Sequence, residues 1–319
     1  MKIIGTGSAH PSCVVTNDML AQFLDTSDEW IVTRTGIKER RLLSDEELKD
    51  LAVDAARKAL DSASMQAKDI DFIICSNVVN EYVTPSLSCL IHEAIQASCP
   101  CVDINAACTG FIYALQMAEA YQTAGMAKNI LIVCAEEPTR MVDWSDRSTC
   151  VLFGDGAGAI VVTEGTDLKA IKTTNASKTE VLVQKRVLQP TPYATKKSEN
   201  LPLVMLGQEV FKNAVSSSVR DLNEVVSKAG MELTDIDYFL LHQANIRIVE
   251  FVGHHLDMPK EKFPHNVEFY GNTSSASIPM LLDEMNARGD LKKGHKLAFS
   301  AFGAGFTTGA CVLEWSMEK

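Results

Sequence analysis

The chain has 319 residues, enough for one large domain or two fused halves. With 46% hydrophobic and 22% charged residues it can fill a core, which excludes a mainly disordered chain. Lys and Arg number 30 against 41 Asp and Glu, a net charge of −11, so a globally basic nucleic-acid binder is excluded and only a local basic patch is open.

The opening MKIIGTGSAHPSCVVTND lacks the charged-then-apolar pattern of a secretory leader. No apolar run nears the roughly 20 residues of a membrane span. The expectation is a cytoplasmic protein without membrane insertion. Nine cysteines, an odd number and mostly inside apolar runs, read as reduced thiols rather than a disulfide framework. There is no CxxC pair, and neither Cys99-Pro100-Cys101 nor His254-His255 has zinc-site spacing, so no metal is expected.

Apolar and small residues at helical spacing predict a helix over 48–63. DFIICSNVV (71–79) reads as a buried strand. The strand-like CVDINAA leads to Cys108 and a helix over 112–124. Strands follow at 129–137 and 157–164. Between them, Gly154–Gly158 lacks the Lys-Ser/Thr of a phosphate loop and reads as a tight structural turn. Thr173–Asn200, rich in Thr, Ser, Lys and Pro, reads as a loop. A helix over 211–230 and strands over 236–243 and 295–300 complete the pattern. Short apolar strands alternating with helices are the α/β signature.

Two segments recur. Met65–Phe72 resembles Met231–Tyr238 at an offset of 166 residues. Cys108–Gly110 and the helix up to Gly125 match Asn272–Ser274 and the helix up to Gly289 at an offset of 164. The chain therefore reads as two related halves, 1–165 carrying Cys108 and 166–319 carrying His242 and Asn272. In this register Cys108 and Asn272 stand at equivalent strand-to-helix corners.

Cys108 before a helix sees free backbone N–H groups and the positive end of the helix dipole, which favour a nucleophilic thiolate. The same residue also fits a buried small hydrophobe. His242 closes a strand, where α/β sheets present functional groups, and suits acid/base or donor work; a solvated loop histidine is the other reading. Asn272 fits a helix N-cap, and the repeat adds the reading of a partner to Cys108. In Phe302–Phe306 the glycines let backbone N–H groups approach a ligand as an oxyanion hole, and no GxGxxG opens a βαβ unit there.

These segments resemble the β-ketoacyl-[acyl-carrier-protein] synthase III family of the thiolase superfamily. IIGTGSAHP, DTSDEWIVTRTGIKER, NAACTGFIYAL, DRSTCVLFGDGAGA, LLHQANIRI, YGNTSSASIP and AFGAGFTTGA occur in order across both halves. The resemblance implies an α/β fold, a thiolase-like duplicated five-layer αβαβα sandwich with two mixed sheets around buried helices, and a homodimer. It implies that an acyl-CoA primer acylates Cys108. Malonyl-[acyl-carrier-protein] then loses CO2, and its enolate attacks the acyl thioester to initiate fatty-acid synthesis. No cofactor is implied, since acyl-CoA is a substrate.

The roles implied are as follows. His242 and Asn272 stabilise the enolate, and the N–H groups of Cys108 and Ala304 form the oxyanion hole. Trp30 and Arg147 sandwich the CoA adenine, Arg34 binds the nucleotide, and Asn245 holds the pantetheine arm or a water. Phe211 and Phe302 line the channel. Lys212 and Arg247 form part of the carrier-protein docking surface, with His254-His255 where a lysine pair is common. Thr84 stands where some members place a bulky Phe against the partner's acyl pocket, which implies room for longer or branched primers. Gln208, Ser148 and Thr308 also depart from the usual pattern. Two alternatives are a specialised acyltransferase or condensing enzyme of secondary metabolism, sharing this chemistry, and an inert acyl-CoA-binding scaffold, which Cys108, His242 and Asn272 together argue against.

Overall fold

In the strand Ile130–Glu136, Ile130, Ile132 and Cys134 belong to one buried cluster and Leu131, Val133 and Ala135 to another. A strand divides its residues this way when both faces are covered. The computed structural model describes residues 1–193 and 201–318. It places this strand in the middle of a five-stranded sheet, in the order Lys2–Ala9, Gly156–Thr163, Ile130–Glu136, Phe72–Ser76, Cys101–Ile104. The first two junctions are antiparallel and the last two parallel. The second sheet runs Tyr238–Leu241, Lys296–Gly303, Thr307–Glu314, Leu168–Asn175; its first junction is parallel and the others antiparallel.

Helices Gly110–Thr123 and Ser277–Arg288 lie between the sheets. Phe111 and Leu115 of one and Leu281 and Met285 of the other share a single core with Ile132 and Ile160 of the first sheet and Leu297, Phe299 and Leu313 of the second. Helices Leu48–Ser62 and Leu87–Ile95 cover the outer face of the first sheet. Gly207–Lys228 and Ile246–His255 cover that of the second. The layers are αβαβα, the thiolase-like sandwich with two mixed sheets around buried helices.

The repeat is structural at its first match. Short 3-10 turns at Ala67–Asp69 and Leu233–Asp235 precede matching strands. Asp69 and Asp235 accept from the N–H groups of Gln66 and Glu232, at 2.9 Å in both. The second match shifts. The 3-10 turns Ala107–Thr109 and Ser274–Ala276 each begin on a left-handed residue, Ala107 (φ 49°) and Ser274 (φ 52°), and each opens a buried helix. Turn superposed on turn, the counterpart of Cys108 is Ser275, not Asn272. The sequence match aligned the glycines after the helices, but the second helix has 12 residues against 14 and ends directly on Gly289.

Two other expectations change. Thr173–Asn175 are not loop but the end of an edge strand, and Leu182–Val183 pairs with Val204–Met205; residues 194–200 lie outside the described residues. Gly156–Gly158 open the strand Gly156–Thr163 rather than forming a turn, since a Cβ at Gly158 would stand 2.8 Å from the Met280 nitrogen of the buried helix.

Candidate active site

The edge strand Cys101–Ile104 delivers the chain to Cys108, in the 3-10 turn that opens the helix Gly110–Thr123. Gly110 is required there, because a Cβ would meet Ser76 Oγ at 1.8 Å. Cys108 is partly exposed, whereas Cys75, Cys134, Cys150 and Cys311 are buried. Its sulfur nevertheless lies in densely packed surroundings, and burial pushes the thiol up to about 12. The helix terminus was expected to favour the thiolate. Desolvation outweighs it, and the resting side chain is a thiol.

His242 follows the strand Tyr238–Leu241, and its N–H donates to Ser300 O at 2.8 Å. The ring meets Phe302 edge-on, with centroids 5.2 Å apart. Nδ1 lies 2.8 Å from Ser277 Oγ, which also accepts from the Gln243 N–H at 3.2 Å. In the tautomer in which Ser277 donates its hydroxyl proton to Nδ1, the ring N–H is on Nε2. Burial pushes His242 down to about 3, so the imidazole is neutral at pH 7 and is a donor rather than a cation.

Asn272 is 7% exposed and joins the Phe153 segment: its N–H donates to Leu152 O at 2.8 Å and its carbonyl accepts from Gly154 N at 3.1 Å. Its side-chain Oδ1 accepts from Ser274 N at 2.9 Å. The residue thus caps the following turn, and this use of Oδ1 fixes Nδ2 as the free, donating end of the amide.

Several contacts draw these residues together. Ser274 Oγ lies 3.4 Å from Cys108 Sγ. Gly303, beside Phe302, packs so closely on the Cys108 turn that a Cβ would stand 2.8 Å from Cys108 N. Thr307 Oγ1 lies 3.2 Å from both Ala106 O and Ala304 O, either of which can take its proton, and 3.0 Å from Thr109 Oγ1, so it bridges the Ala304 turn and the Cys108 turn. The repeat supplies an independent argument. Ser76 Oγ donates to Ser275 Oγ at 2.9 Å. By the structural register, Ser76 corresponds to His242 and Ser275 to Cys108. The pseudo-symmetric mate of this observed contact is His242 facing Cys108.

The outer residues form separate groups. Arg34 and Arg147 both lie over the Trp30 ring, 4.4 and 4.9 Å from its centroid. Arg147 also bonds the Asp25 backbone carbonyl and carboxylate. Trp30 and Arg147 are thus stacked directly on each other. Arg247 lies 5.7 Å over the Phe211 ring, and Lys212 beside it is exposed. Asn245 caps the helix Ile246–His255 by accepting from Arg247 N, and its Nδ2 donates to Arg34 O. Its amide is therefore engaged at both ends within the protein. Thr84 is exposed, next to Val83 at 77% exposure, before the helix Leu87–Ile95.

Sequence reasoning missed Ser274, Ser277, Thr307 and the buried Glu136. No local signal singled them out, because each acts through partners more than 30 residues away. Among the described residues no group of three or more His, Cys, Asp or Glu is placed to hold a metal ion. Among them, too, no helix is long and apolar enough to cross a membrane.

Comparison with known proteins identifies the family. Residues 102–178 match the family model for 3-oxoacyl-[acyl-carrier-protein] synthase III, and residues 226–315 match the model of its C-terminal part. The β-ketoacyl-[acyl-carrier-protein] synthase III of Clostridium acetobutylicum is 42% identical over 321 residues, covering 99% of each chain. The solved synthase III of Aquifex aeolicus is 41% identical, with a TM-score of 0.91 over 98% of this chain and 99% of that one. The corresponding structure from Thermus thermophilus is 38% identical, with a TM-score of 0.93 over 99% of each. Full-length similarity at this level, in sequence and in fold, places the chain in the β-ketoacyl-[acyl-carrier-protein] synthase III family of condensing acyltransferases.

Proposed function

We propose that this chain condenses an acyl-CoA primer with malonyl-[acyl-carrier-protein], using Cys108 as the acyl carrier and His242 and Asn272 as enolate-stabilising donors. In the first half-reaction Cys108 Sγ attacks the primer thioester and CoA leaves. The tetrahedral oxyanion is received by the backbone N–H groups of Cys108 and Ala304, held in register by Thr307. In the second, malonyl thioester loses CO2 and negative charge grows on its thioester oxygen. Two neutral donors suit that charge, because they stabilise it without first protonating it. The enolate carbon then attacks the acyl thioester and expels Cys108.

One observation carries this reading: His242 Nδ1 and Asn272 Oδ1 both have protein partners, which leaves the second nitrogen of the imidazole and the Asn272 Nδ2 to serve as donors. Incubation with acyl-CoA followed by intact-mass analysis tests it. The expected result is one acyl adduct, absent from Cys108→Ser and discharged by malonyl-carrier protein.

Substrate contacts follow from the outer groups. The CoA adenine enters against Trp30 by displacing Arg147 from the ring face, trading one cation–π contact for base stacking between the two. Arg34 stays on the other contact and meets the nucleotide phosphate. Phe302 and Phe211 line the approach of the pantetheine arm. With both ends of its amide engaged, Asn245 serves that approach by holding the Arg34 loop to the helix. Arg247 and Lys212 present positive charge to an acidic carrier protein, a local attraction on a chain that is acidic overall. The functional unit is a homodimer: the first sheet ends on the open edge strand Cys101–Ile104, and Tyr82 and Val83 beside Thr84 stand 43% and 77% exposed. Light scattering reads this directly, and a monomer at micromolar concentration would contradict it.

A further inference from the structure

Glu136 is the last residue of the central strand Ile130–Glu136 and is 1% exposed. A lone buried carboxylate facing a catalytic corner needs a reason. Its Oε1 accepts from Ser275 Oγ at 2.5 Å and from Ser274 Oγ at 3.2 Å, and its Oε2 accepts from Val78 N at 3.1 Å. Ser274 Oγ is also 3.4 Å from Cys108 Sγ. A hydroxyl has one proton, so Ser274 donates to one of these neighbours at a time. When it donates to Glu136, its lone pairs face the thiol proton of Cys108.

We propose that Glu136, acting through the Ser274 hydroxyl, takes the proton from Cys108 as the sulfur attacks, and holds it until Cys108 is next a leaving group. This rests on Cys108 being the nucleophile. As the S–C bond to the acyl carbon forms, the S–H proton moves to Ser274 Oγ and the Ser274 proton moves to Glu136 Oε1, giving a carboxylic acid. The C–S bond to CoA breaks, and the CoA thiolate takes a proton from water. In the condensation step the C–S bond to Cys108 breaks, and the stored proton returns by the same path to the thiolate. One proton is consumed per turnover, at CoA, and Glu136 ends as it began.

The alternatives within the corner are weaker. His242 is held neutral by burial with its Nδ1 bonded to Ser277, and a group pushed down to about 3 is a poor acceptor for a thiol proton. Burial pushes the Glu136 carboxyl up to about 7, the range in which a proton carrier works near neutral pH. The titratable groups that feel its charge are Cys134 on its own strand, Cys75 on the neighbouring strand and Cys108 on the turn. All three thiols are pushed up, so Glu136 is the member of this cluster that changes charge near neutrality.

The test is the pH dependence of Cys108 alkylation by iodoacetamide, followed by intact mass, alongside acylation by acyl-CoA. In the wild type the alkylation rate is expected to rise through an apparent pKa near 7, the value to which burial pushes the Glu136 carboxyl. In Glu136→Gln that limb should vanish and the rate fall about 10²-fold, the usual scale for loss of a positioned base. Ser274→Ala should show the same loss, and the double variant no further loss. Glu136→Asp, which restores a carboxylate, should recover the limb in part. An unchanged alkylation profile in folded Glu136→Gln would overturn the proposal, as would a limb at the same pH in Ser274→Ala. Alkylation uses no acyl-CoA, so a wild type that alkylates with this profile but forms no acyl adduct would sink the nucleophile's acyl-carrier role and leave the proton path standing.

Discussion

Replacing Gly303 by alanine adds one methyl group where the Cys108 turn leaves no room. The backbone at Gly303 is extended (φ −160°, ψ −177°), so alanine can adopt it and the effect comes from contact alone. The new Cβ would stand 2.8 Å from Cys108 N, 3.0 Å from Ala107 Cβ and 3.2 Å from Thr109 N. Two of these are backbone atoms and cannot rotate away. With comfortable contacts at ~3.5 Å, turn and strand must separate by more than ~0.5 Å. Overpacking of this kind costs roughly 1–3 kcal/mol of stability. The larger effect is on rate, because the Cys108 and Ala304 N–H groups flank this contact and an oxyanion donor lost from position costs about 10²–10³-fold. Gly303→Ala should therefore fold with a modestly lower melting temperature and acylate at least ~10²-fold more slowly at saturating acyl-CoA. Rapid-quench intact-mass measurement reads the rate. A folded variant that acylates within about twofold of the wild type would refute the placement of the oxyanion donors.

Asn272→Ala should still form the acyl adduct on Cys108 while malonyl decarboxylation, followed as CO2 release, falls roughly 10²–10³-fold; equal loss in both half-reactions would remove Asn272 from the enolate site. His242 ties stability to pH. Its folded value, about 3, lies below the ordinary 6.5, so the unfolded chain binds the extra proton and stability is lost as pH falls below 6.5. Between pH 7 and pH 5 the loss is about 2 kcal/mol, at about 1.4 kcal/mol per unit. Urea titrations should show His242→Gln lacking that slope, and a parallel loss in both proteins would refute it. Thr84, small and exposed, should permit an eight-carbon primer at a rate comparable to acetyl-CoA, and Thr84→Phe should suppress the long primer selectively. Strict acetyl preference in the wild type would contradict this.

Much of the architecture was legible because burial on two faces writes itself into composition. ILIVCAE could only be a central strand, and the alanine-rich 48–63 stretch only a closely packed helix. Strand ends were less legible. Thr173–Asn175 carry Thr and Asn because they finish a half-buried edge strand, and such residues read as loop. The repeat was seen, but its register was set by Gly125 and Gly289, and helices of unequal length displaced the corner by three residues. Cys108, His242 and Asn272 stood out through motif and position. The groups that orient them did not. Ser277 aims the His242 ring from 35 residues away, and Ser274 reaches Cys108 across 166. A serine in a Ser-rich turn carries no local mark of such a role. Burial reversed one expectation: the helix terminus was visible in the sequence, but the desolvation that raises the Cys108 thiol depends on what packs around it.

The central claim is that one sulfur takes up an acyl group and passes it on. Single-turnover intact-mass analysis tests it most directly, with acyl-CoA added first and malonyl-carrier protein second. The expected record is a single acyl increment mapped to Cys108, which disappears as β-ketoacyl-carrier protein accumulates in equal amount. An adduct on another residue, or product formed by a Cys108→Ser variant at the wild-type rate, would contradict it.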